Sequence, residues 1–270
     1  MTDADFTRNE AVELSWLDDD VAKLTLTRGP EMNTLTHGLL EGMSRALDTL
    51  ATKPVRALVI TGSGRAFCCG AHLDYFAQEN MQEDVRFRLR DHYLAHIAQV
   101  FDRLEEQRFP TIAAINGFAL GGGCELALSC DFRIMSTRAR IGLPEVKLGA
   151  LAGAGGVQKL ARHIGRGKAI EWILLGLHAD AQEAERRGLL YASCAPDDLE
   201  ARTMELVHSL KALSPMAIAQ SKAAVYMCED ADLRTARRIG LEALSMLIDS
   251  RDWKEGIAAF HEKRDPVFRS

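Results

Sequence analysis

Residues 116–126 read Asn116-Gly117-Phe118-Ala119-Leu120-Gly121-Gly122-Gly123-Cys124-Glu125-Leu126, a glycine turn between a predicted strand and a predicted helix. Three consecutive glycines are costly in backbone entropy, a cost usually tolerated where the backbone must approach another group closely. A glycine turn at a helix start exposes unpaired N–H groups and the positive end of the helix dipole. Such a turn can bind a phosphate or stabilise an enolate or oxyanion. A tight strand–helix connection without any ligand explains the glycines equally well.

Two glutamates beside glycine-rich turns are candidate acid–base groups. Glu125 begins an otherwise apolar helix, where a carboxylate either complements the helix dipole or, when buried, has a pKa raised toward the range of a general acid or base. Glu145 follows a proline in the glycine-bounded segment 142–149, and taken alone it is most simply a solvated loop residue. The later tract 153–156, Gly-Ala-Gly-Gly, has no strand immediately before it, so we reject it as a dinucleotide fingerprint.

A third segment, residues 64–73, reads Gly-Arg-Ala-Phe-Cys-Cys-Gly-Ala-His-Leu and follows the predicted strand Ala57–Thr61. Open α/β sheets bind ligands at the carboxyl ends of their strands, so this segment is expected at such an edge. A backbone N–H group from it can face the Gly122 turn, and two such donors form the kind of site that a thioester enolate requires.

The overall composition excludes several classes of protein. The chain has 270 residues, 47% hydrophobic and 26% charged, as in an ordinary globular protein. A net charge of −5 gives no support for a broad nucleic-acid or membrane-surface role, and no apolar run is long enough to span a bilayer. The polar segment Met1–Glu10 does not resemble a signal or transit peptide, so a cytoplasmic location is expected. The cysteines and histidines lack metal-ligand spacing, and we expect neither a metal site nor disulfides.

The order of predicted elements indicates an α/β core followed by helices. Acidic residues between two apolar segments predict a hairpin, and the following alternation of strands and helices predicts a largely parallel sheet. We assign residues 1–195 to the core and 196–270 to a helical region that packs on its own core or on a neighbouring subunit. The elements predicted for the core are Ala11–Trp16, Val21–Leu26, Thr36–Leu50, Ala57–Thr61, Val85–Gln107, Thr111–Ile115, Gly121–Cys130 and Phe132–Ser136. Helices predicted after them are Val157–His163, Lys168–Leu175, Gln182–Arg187, Leu199–Leu213, Pro215–Cys228, Leu233–Ser250 and Trp253–Lys263.

Together these segments resemble the enoyl-CoA hydratase/isomerase (crotonase) family, from about Val12 to the C-terminus. The matching motifs, in order, are Ala66–Ala71, Ala114–Gly117 with Gly121–Leu126, Cys130-Asp131, Leu143–Glu145 and Gly153–Gly156. The resemblance implies a crotonase-like spiral, a superhelix of ββα-like turns forming two near-perpendicular sheets, with a C-terminal helical trimerisation region. It also implies a homotrimer or homohexamer.

The resemblance assigns roles to particular residues. The family's oxyanion-hole donors map onto the backbone N–H groups of Ala71 and Gly122, and its two catalytic glutamates map onto Glu125 and Glu145. Relatives that only shift double bonds often keep just the second glutamate. Both are present here, which favours reversible syn addition of water to a trans-2-enoyl-CoA, with coenzyme A as part of the substrate and no separate cofactor.

The resemblance also implies residues that bind the substrate. Phe260 and Lys263 match residues that meet the nucleotide end of CoA, commonly across a trimer interface, although an ordinary amphipathic helix end also explains them. His72 stands where the family usually has aspartate, either as a packing difference or as a contact to a polar acyl group. The variable stretch Tyr75–His96 is expected to line the acyl pocket. The expected substrate-binding residues are Met32, Asn33, Gly70, His72, Leu73, Gly121, Pro144, Gly153, Phe260 and Lys263.

Two alternative functions remain open at this stage. One is a different acyl-CoA reaction at the same oxyanion site, such as isomerisation, decarboxylation, hydrolysis or a lyase reaction. The other is a non-catalytic role as a subunit or an RNA-binding relative. The acidic composition and the presence of both glutamates argue against the non-catalytic role.

Overall fold

The structure is a computed structural model that describes residues 11–76 and 85–268, so the segment Met1–Glu10 lies outside the described residues. The strands are β1 Val12–Asp18, β2 Val21–Leu26, β3 Ala57–Gly62, β4 Ala66–Cys68, β5 Thr111–Ile115, β6 Phe118–Leu120, β7 Phe132–Ser136, β8 Arg140–Gly142 and β9 Ala192–Cys194. They form a six-stranded sheet in the order β1-β2-β3-β5-β7-β9 and a three-stranded sheet in the order β4-β6-β8.

The helices follow the strands of the core and then follow one another. They are α1 His37–Ala51, α2 Val85–Arg88, α3 Ala95–Glu105, α4 Gly122–Leu128, α5 Gly156–Ile164, α6 Arg166–Leu174, α7 Ala181–Arg186, α8 Leu199–Lys211, α9 Pro215–Cys228, α10 Leu233–Leu247 and α11 Arg251–Glu262. No helix in the described ranges is long and apolar enough to cross a lipid bilayer.

The predicted hairpin is confirmed, because β1 and β2 pair antiparallel with Val12 opposite Leu26. Its turn is shorter than the acidic run suggests. Asp18 still belongs to β1, and its carboxylate accepts a hydrogen bond from the Asp19 N–H group at 2.8 Å. The remaining pairs of the six-stranded sheet are parallel, as the alternation of strands and helices predicts.

The predicted helix Val85–Gln107 is correct in position but not uniform. Helices α2 and α3 are joined by the π-helical segment Leu89–Leu94, and α3 ends at Glu105. Within this wider turn Tyr93 is buried, and its hydroxyl accepts a hydrogen bond from the His72 N–H group at 2.8 Å. Insertions of this kind are common near functional sites, and this one anchors the loop that follows β4.

The six-stranded sheet is covered on both faces. A large cluster on one side includes side chains of α1 and α3, whereas a smaller cluster packs Val59, Ile112 and Ile134 against Leu206 and Val207 of α8. Helix α8 therefore packs on the core of its own chain. In contrast, α9 and α10 pack mainly against each other, and neither has a fully buried residue.

Candidate active site

The three-stranded sheet determines where the site forms. Strands β4, β6 and β8 are parallel, so their carboxyl ends meet at one edge. The chain leaves β4 toward Gly70 and Ala71, leaves β6 into Gly121 and Gly122, and leaves β8 toward Glu145. Three segments that are distant in sequence therefore meet at this edge. The Gly121 N–H group reinforces the edge by donating to the Gly142 carbonyl at 3.0 Å.

The backbone N–H groups of Ala71 and Gly122 lie side by side at this edge. A Cβ atom placed on Gly122 would lie 3.6 Å from the Ala71 nitrogen, and one placed on Gly70 would lie 2.8 Å from the Gly122 nitrogen. Gly70 also has a φ of +81°, which favours glycine. Neither amide has a hydrogen-bond acceptor in the part of the chain that the structure describes. Two neighbouring donors of this kind can stabilise a negatively charged carbonyl oxygen.

Glu125 is held firmly at the start of α4. Its Oε1 accepts hydrogen bonds from the backbone N–H groups of Ala154 at 2.8 Å and Gly156 at 2.9 Å, and the side chain is buried. Gly156 is the first residue of α5, so the carboxylate also faces the positive end of that helix. Burial raises the pKa of Glu125, while the two amides and the Lys159 amine lower it.

Glu145 reaches the same site from a short 3-10 helix, residues Glu145–Leu148, that follows β8. Its Oε1 lies 3.2 Å from the position that a Cβ atom on Gly121 would take. Its Oε2 is buried without a hydrogen-bond partner among the described residues. Burial, together with the nearby charge of Glu125, raises the pKa of Glu145 to about 7. Glu145 therefore holds a proton more readily than Glu125.

A cavity of about 330 Å³ connects these groups. Both carboxylates, Ala71 and Gly122 line it, and much of the remaining wall is apolar. The apolar side chains of the wall are Leu73, Phe76, Leu94, Ile97, Leu148 and Leu151. A site with two amide donors, two carboxylates and a hydrocarbon wall can bind an acyl group, polarise its carbonyl and move protons at neighbouring carbons.

Half of the predicted substrate-binding residues line this cavity, namely Gly70, Leu73, Gly121, Pro144 and Gly153. Met32 and Asn33 do not. Both adopt left-handed backbone conformations, with φ of 57° and 54°, and the Asn33 amide donates to the carbonyls of Ser63 and Ala66. In this structure Asn33 fixes the loop between β3 and β4.

His72, Phe260 and Lys263 also lie outside the cavity wall. The His72 ring contacts Thr34 through Nδ1 at 3.0 Å and Asp74 through Nε2 at 3.4 Å. Phe260 is 79% exposed near the end of α11, and Lys263 caps that helix in a left-handed conformation. Their predicted contact with CoA across a subunit interface stays a prediction.

Sequence reasoning missed the two amides that hold Glu125. Ala154 and Gly156 belong to the Gly-Ala-Gly-Gly tract, which we rejected as a dinucleotide fingerprint. The same tract opens a helix, so its exposed N–H groups were a usable signal for a carboxylate ligand. Of the variable stretch Tyr75–His96, Phe76 and Leu94 line the cavity, and residues 77–84 lie outside the described ones. Across the described ranges no group of three or more His, Cys, Asp or Glu is arranged to hold a metal ion.

Comparison with known proteins identifies the family. The family model described as enoyl-CoA hydratase/isomerase matches residues 17–270. The short-chain-enoyl-CoA hydratase of Clostridium acetobutylicum is 36% identical over 90% of this chain and 92% of its own length. The 2,3-dehydroadipyl-CoA hydratase of Escherichia coli is 36% identical over 92% of this chain and 95% of its own length.

A solved structure gives the same result for the fold. The 1.8 Å crystal structure of an enoyl-CoA hydratase from Bacillus anthracis has a TM-score of 0.88 and 36% sequence identity, covering 95% of this chain and 98% of that one. The fold and the site define an acyl-transforming enzyme with an α/β spiral core. The chain belongs to the enoyl-CoA hydratase/isomerase family, and the predicted crotonase fold is confirmed.

Proposed function

We propose that this protein is an enoyl-CoA hydratase that catalyses the reversible syn addition of water to a trans-2-enoyl-CoA thioester. One observation carries the proposal: two carboxylates with different environments line the same cavity as two backbone amides that have no acceptor among the described residues. Hydration needs one group to remove a proton from water and another to deliver a proton to carbon. The relatives named above act on a short-chain enoyl-CoA and on 2,3-dehydroadipyl-CoA.

The division of roles follows from the contacts of each glutamate. Two N–H donors on Glu125 Oε1 favour its charged form, and neither uses Oε2, which can accept a proton from water. Glu145 has a buried oxygen without a partner in the described part of the chain and a pKa of about 7, so it is the group that retains the proton. With a pKa of about 7, Glu145 is about half protonated at neutral pH, and the proton that the pair shares resides mainly on Glu145.

The proposed reaction uses the two amides and the two glutamates as follows. The amides of Ala71 and Gly122 form the oxyanion hole and polarise the thioester carbonyl, which makes the β-carbon electrophilic. Glu125 takes a proton from water as the oxygen bonds to the β-carbon, and Glu145 delivers its proton to the α-carbon. The C=C π bond, one O–H bond of water and the O–H bond of Glu145 break, while a C–O bond, a C–H bond and an O–H bond on Glu125 form. Proton exchange with solvent then deprotonates Glu125 and reprotonates Glu145 for the next turnover. The reverse reaction exchanges the two roles.

A double-bond isomerase is the nearest alternative within the family. Isomerisation needs proton transfer at two carbons of one chain, which a single carboxylate can perform, and no activated water. An isomerase would then not need the two N–H groups that keep Glu125 charged. Hydration is therefore the better match to this site.

The apolar wall favours an uncharged acyl chain. Leu73, Leu94 and Leu148 would face the carbons beyond the double bond, and burying a carboxylate against them would carry a desolvation cost. Crotonyl-CoA is therefore the expected substrate in preference to 2,3-dehydroadipyl-CoA. Coenzyme A enters as part of the substrate, and we expect no additional cofactor.

The remaining parts of the proposal concern assembly and location. Helices α10 and α11 carry exposed apolar side chains, including Leu241, Met246 and Phe260, which support burial against other subunits in a homotrimer or homohexamer. Phe260 and Lys263 would then meet the CoA bound to a neighbouring subunit. We expect the assembled enzyme in the cytoplasm. Sedimentation analysis would test the assembly.

Hydration of crotonyl-CoA, followed as loss of the enone absorbance, tests the activity. We expect turnover by the wild-type chain and a loss of about 10² to 10⁴-fold in kcat for both Glu125→Gln and Glu145→Gln, because each removes one proton-transfer group. Thermal unfolding of the variants controls for loss of fold. Full activity in both variants would contradict the proposed function.

A further inference from the structure

A group of charged side chains lies beside Glu125 but outside the cavity wall. Lys159 of α5 is largely buried; its amine donates to the Ser129 hydroxyl at 2.8 Å and forms an ion pair with Glu105 of α3. The Ser129 hydroxyl in turn donates to the main-chain carbonyl of Glu125 at 2.9 Å. These contacts join α3, α4 and α5 on the side of Glu125 that faces away from the cavity. None of them takes part in the proposed proton transfers.

The stem of Lys159 also covers the turn that holds Glu125. Its Cε lies 3.0 Å and its Nζ 3.5 Å from the position that a Cβ atom on Gly155 would take. Gly155 lies between Ala154 and Gly156, whose N–H groups bind the Glu125 carboxylate. The amine is thus held next to the peptide turn that carries both donors.

We propose that Lys159 is a positioning residue that keeps Glu125 ionised for water activation, and that its partner Glu105 limits this effect. Lys159 has this role only if Glu125 activates water, so the inference rests on the proposed hydratase function. Neither residue lines the cavity, and neither needs to touch the substrate.

The balance of charges around Glu125 supports this role. Burial raises the pKa of Glu125, and the positive charge of Lys159 acts with the two amides to lower it. On the cavity side the facing groups are Glu145, which retains a proton, and the Cys124 thiol, whose pKa burial raises well above its usual value. On the other side, Lys159 is the cation that lowers the pKa of Glu125; the buried Arg133 acts on the neighbouring Cys124 and His163.

The groups around Lys159 are mostly neutral or already paired. Burial lowers the pKa of His163 to about 4, so its ring is uncharged at neutral pH. Glu229 pairs with Arg162, and Asp131 is bound by Lys222 and Tyr226. The charges that act on Glu105 besides Lys159 are those of Asp102 and Glu229. Glu105 is therefore the direct counter-charge to the Lys159 amine.

The two members of the pair should act in opposite directions, which a direct titration can measure. We would label the protein with ¹³C at the glutamate carboxyl carbons and assign Glu125 by the loss of its signal in Glu125→Gln. Lys159→Met is expected to raise the Glu125 titration midpoint by about half a pH unit, because an attractive charge is lost. Glu105→Gln is expected to lower it, because the amine is no longer partly neutralised.

The pH profile of crotonyl-CoA hydration provides the second readout. The acid limb of the kcat/KM profile should move to higher pH in Lys159→Met, which corresponds to about threefold less activity at a pH on that limb. In Glu105→Gln the same limb should move to lower pH. Lys159→Arg should restore the wild-type profile. Lys168→Met is the matched control, since it removes a lysine paired with Glu171 on the neighbouring helix and should leave the limb in place.

Two outcomes separate failure of this role from failure of the hydratase function. If Lys159→Met and Glu105→Gln leave the Glu125 titration unchanged, or move it in the same direction, the role of Lys159 is wrong. If the wild-type chain hydrates no enoyl-CoA, the proposed function fails, and the titration still decides whether Lys159 controls Glu125. If a single variant unfolds early in thermal melts, the double variant Lys159→Met/Glu105→Gln replaces it. Its Glu125 midpoint should lie above that of the wild type, by less than about half a pH unit; a midpoint at or below the wild-type value would overturn the role.

Discussion

Glu125 and Glu145 line the same cavity, yet the chain surrounds them differently. Glu125 projects from a helix and is fixed by two N–H groups at the start of another helix. Glu145 projects from the first residue of a short 3-10 helix and keeps one buried oxygen without a partner among the described residues. Burial raises both pKa values; two N–H groups of a distant segment offset this at Glu125, whereas at Glu145 only a hydrogen bond from its own backbone does so. The contrast shows how one site can hold a base and an acid of the same residue type.

Among the variants that leave both glutamates in place, the largest loss of activity is expected when the turn that holds the Glu125 carboxylate is disturbed. A Cβ atom on Gly156 would lie 2.7 Å from Glu125 Cγ and 2.9 Å from the Ala152 Cβ. Gly156→Ala must therefore displace the carboxylate, and we expect kcat for crotonyl-CoA hydration to fall about 100-fold, as for a catalytic group moved by about 1 Å.

Gly153→Ala is the matched control for this change. Gly153 lies in the same tract, and a Cβ atom there would meet nothing within 4 Å. Although Gly153 lines the cavity, its Cβ atom would not touch Glu125, so we expect this variant to keep clearly more activity than Gly156→Ala. Equal losses in the two alanine variants would show that the tract matters for some reason other than support of Glu125.

A smaller effect is expected on the Glu145 side. A Cβ atom on Gly121 would lie 3.2 Å from Glu145 Oε1, and Gly121 has a φ of +57°. Because the Glu145 Oε2 has no partner among the described residues, the side chain can yield to the new methyl group. Backbone strain of about 1 to 3 kcal/mol remains, because Gly121 has a ψ of −127° at this positive φ. We expect Gly121→Ala to reduce kcat about tenfold, measured in the same assay. A loss of kcat larger than that in Gly156→Ala would show that Glu145, not Glu125, is the more tightly held of the two glutamates.

The pair should also give a bell-shaped pH profile. Hydration needs one proton on the two carboxylates, so activity is lost above the Glu145 pKa of about 7, where that proton leaves. It is lost again in acid, where Glu125 becomes protonated. We expect kcat/KM to fall by just under tenfold per pH unit on the alkaline side. The residual activity of Glu145→Gln should lack the alkaline limb, and an unchanged limb in that variant would assign it to another group.

The smallest effect is expected at His72, a third titratable group near the site. Its ring contacts Thr34 and Asp74 and does not line the cavity. His72→Ala should change kcat for crotonyl-CoA by about fivefold or less, which corresponds to the usual net worth of one hydrogen bond, about 1 kcal/mol. Steady-state kinetics on crotonyl-CoA and 2,3-dehydroadipyl-CoA would check this. A selective loss on the dicarboxylic substrate would show that His72 contacts a polar acyl group.

Sequence patterns predicted five of the six strands of the large sheet and the C-terminal helices because these elements are long enough to show periodicity; the three-residue strand β9 was not predicted. The strands of the small sheet have three residues each and lie in segments that we interpreted as glycine loops. Periodicity cannot identify elements of that length. Yet this sheet brings Ala71, Gly122 and Glu145 together. Because its strands were not predicted, only the family resemblance indicated that these three residues meet in one site.

The site was predicted unevenly for a similar reason. Family motifs named both glutamates and both amides, but roles that depend on tertiary contacts were not visible. Asn33, assigned to substrate binding, is buried and bonded to backbone carbonyls of another loop. Lys159 and the amide of Ala154 were not singled out, because their importance comes from contact with a residue about thirty positions away.

Exchange of the α-proton of butyryl-CoA into D₂O tests the division of roles most directly. Butyryl-CoA cannot be hydrated, so exchange needs only the oxyanion donors and a base at the α-carbon. At pH 8, above the Glu145 pKa of about 7, Glu145 is the expected base. We predict that Glu125→Gln loses hydration of crotonyl-CoA but keeps exchange, whereas Glu145→Gln loses both. Exchange that survives in Glu145→Gln and disappears in Glu125→Gln would contradict the account.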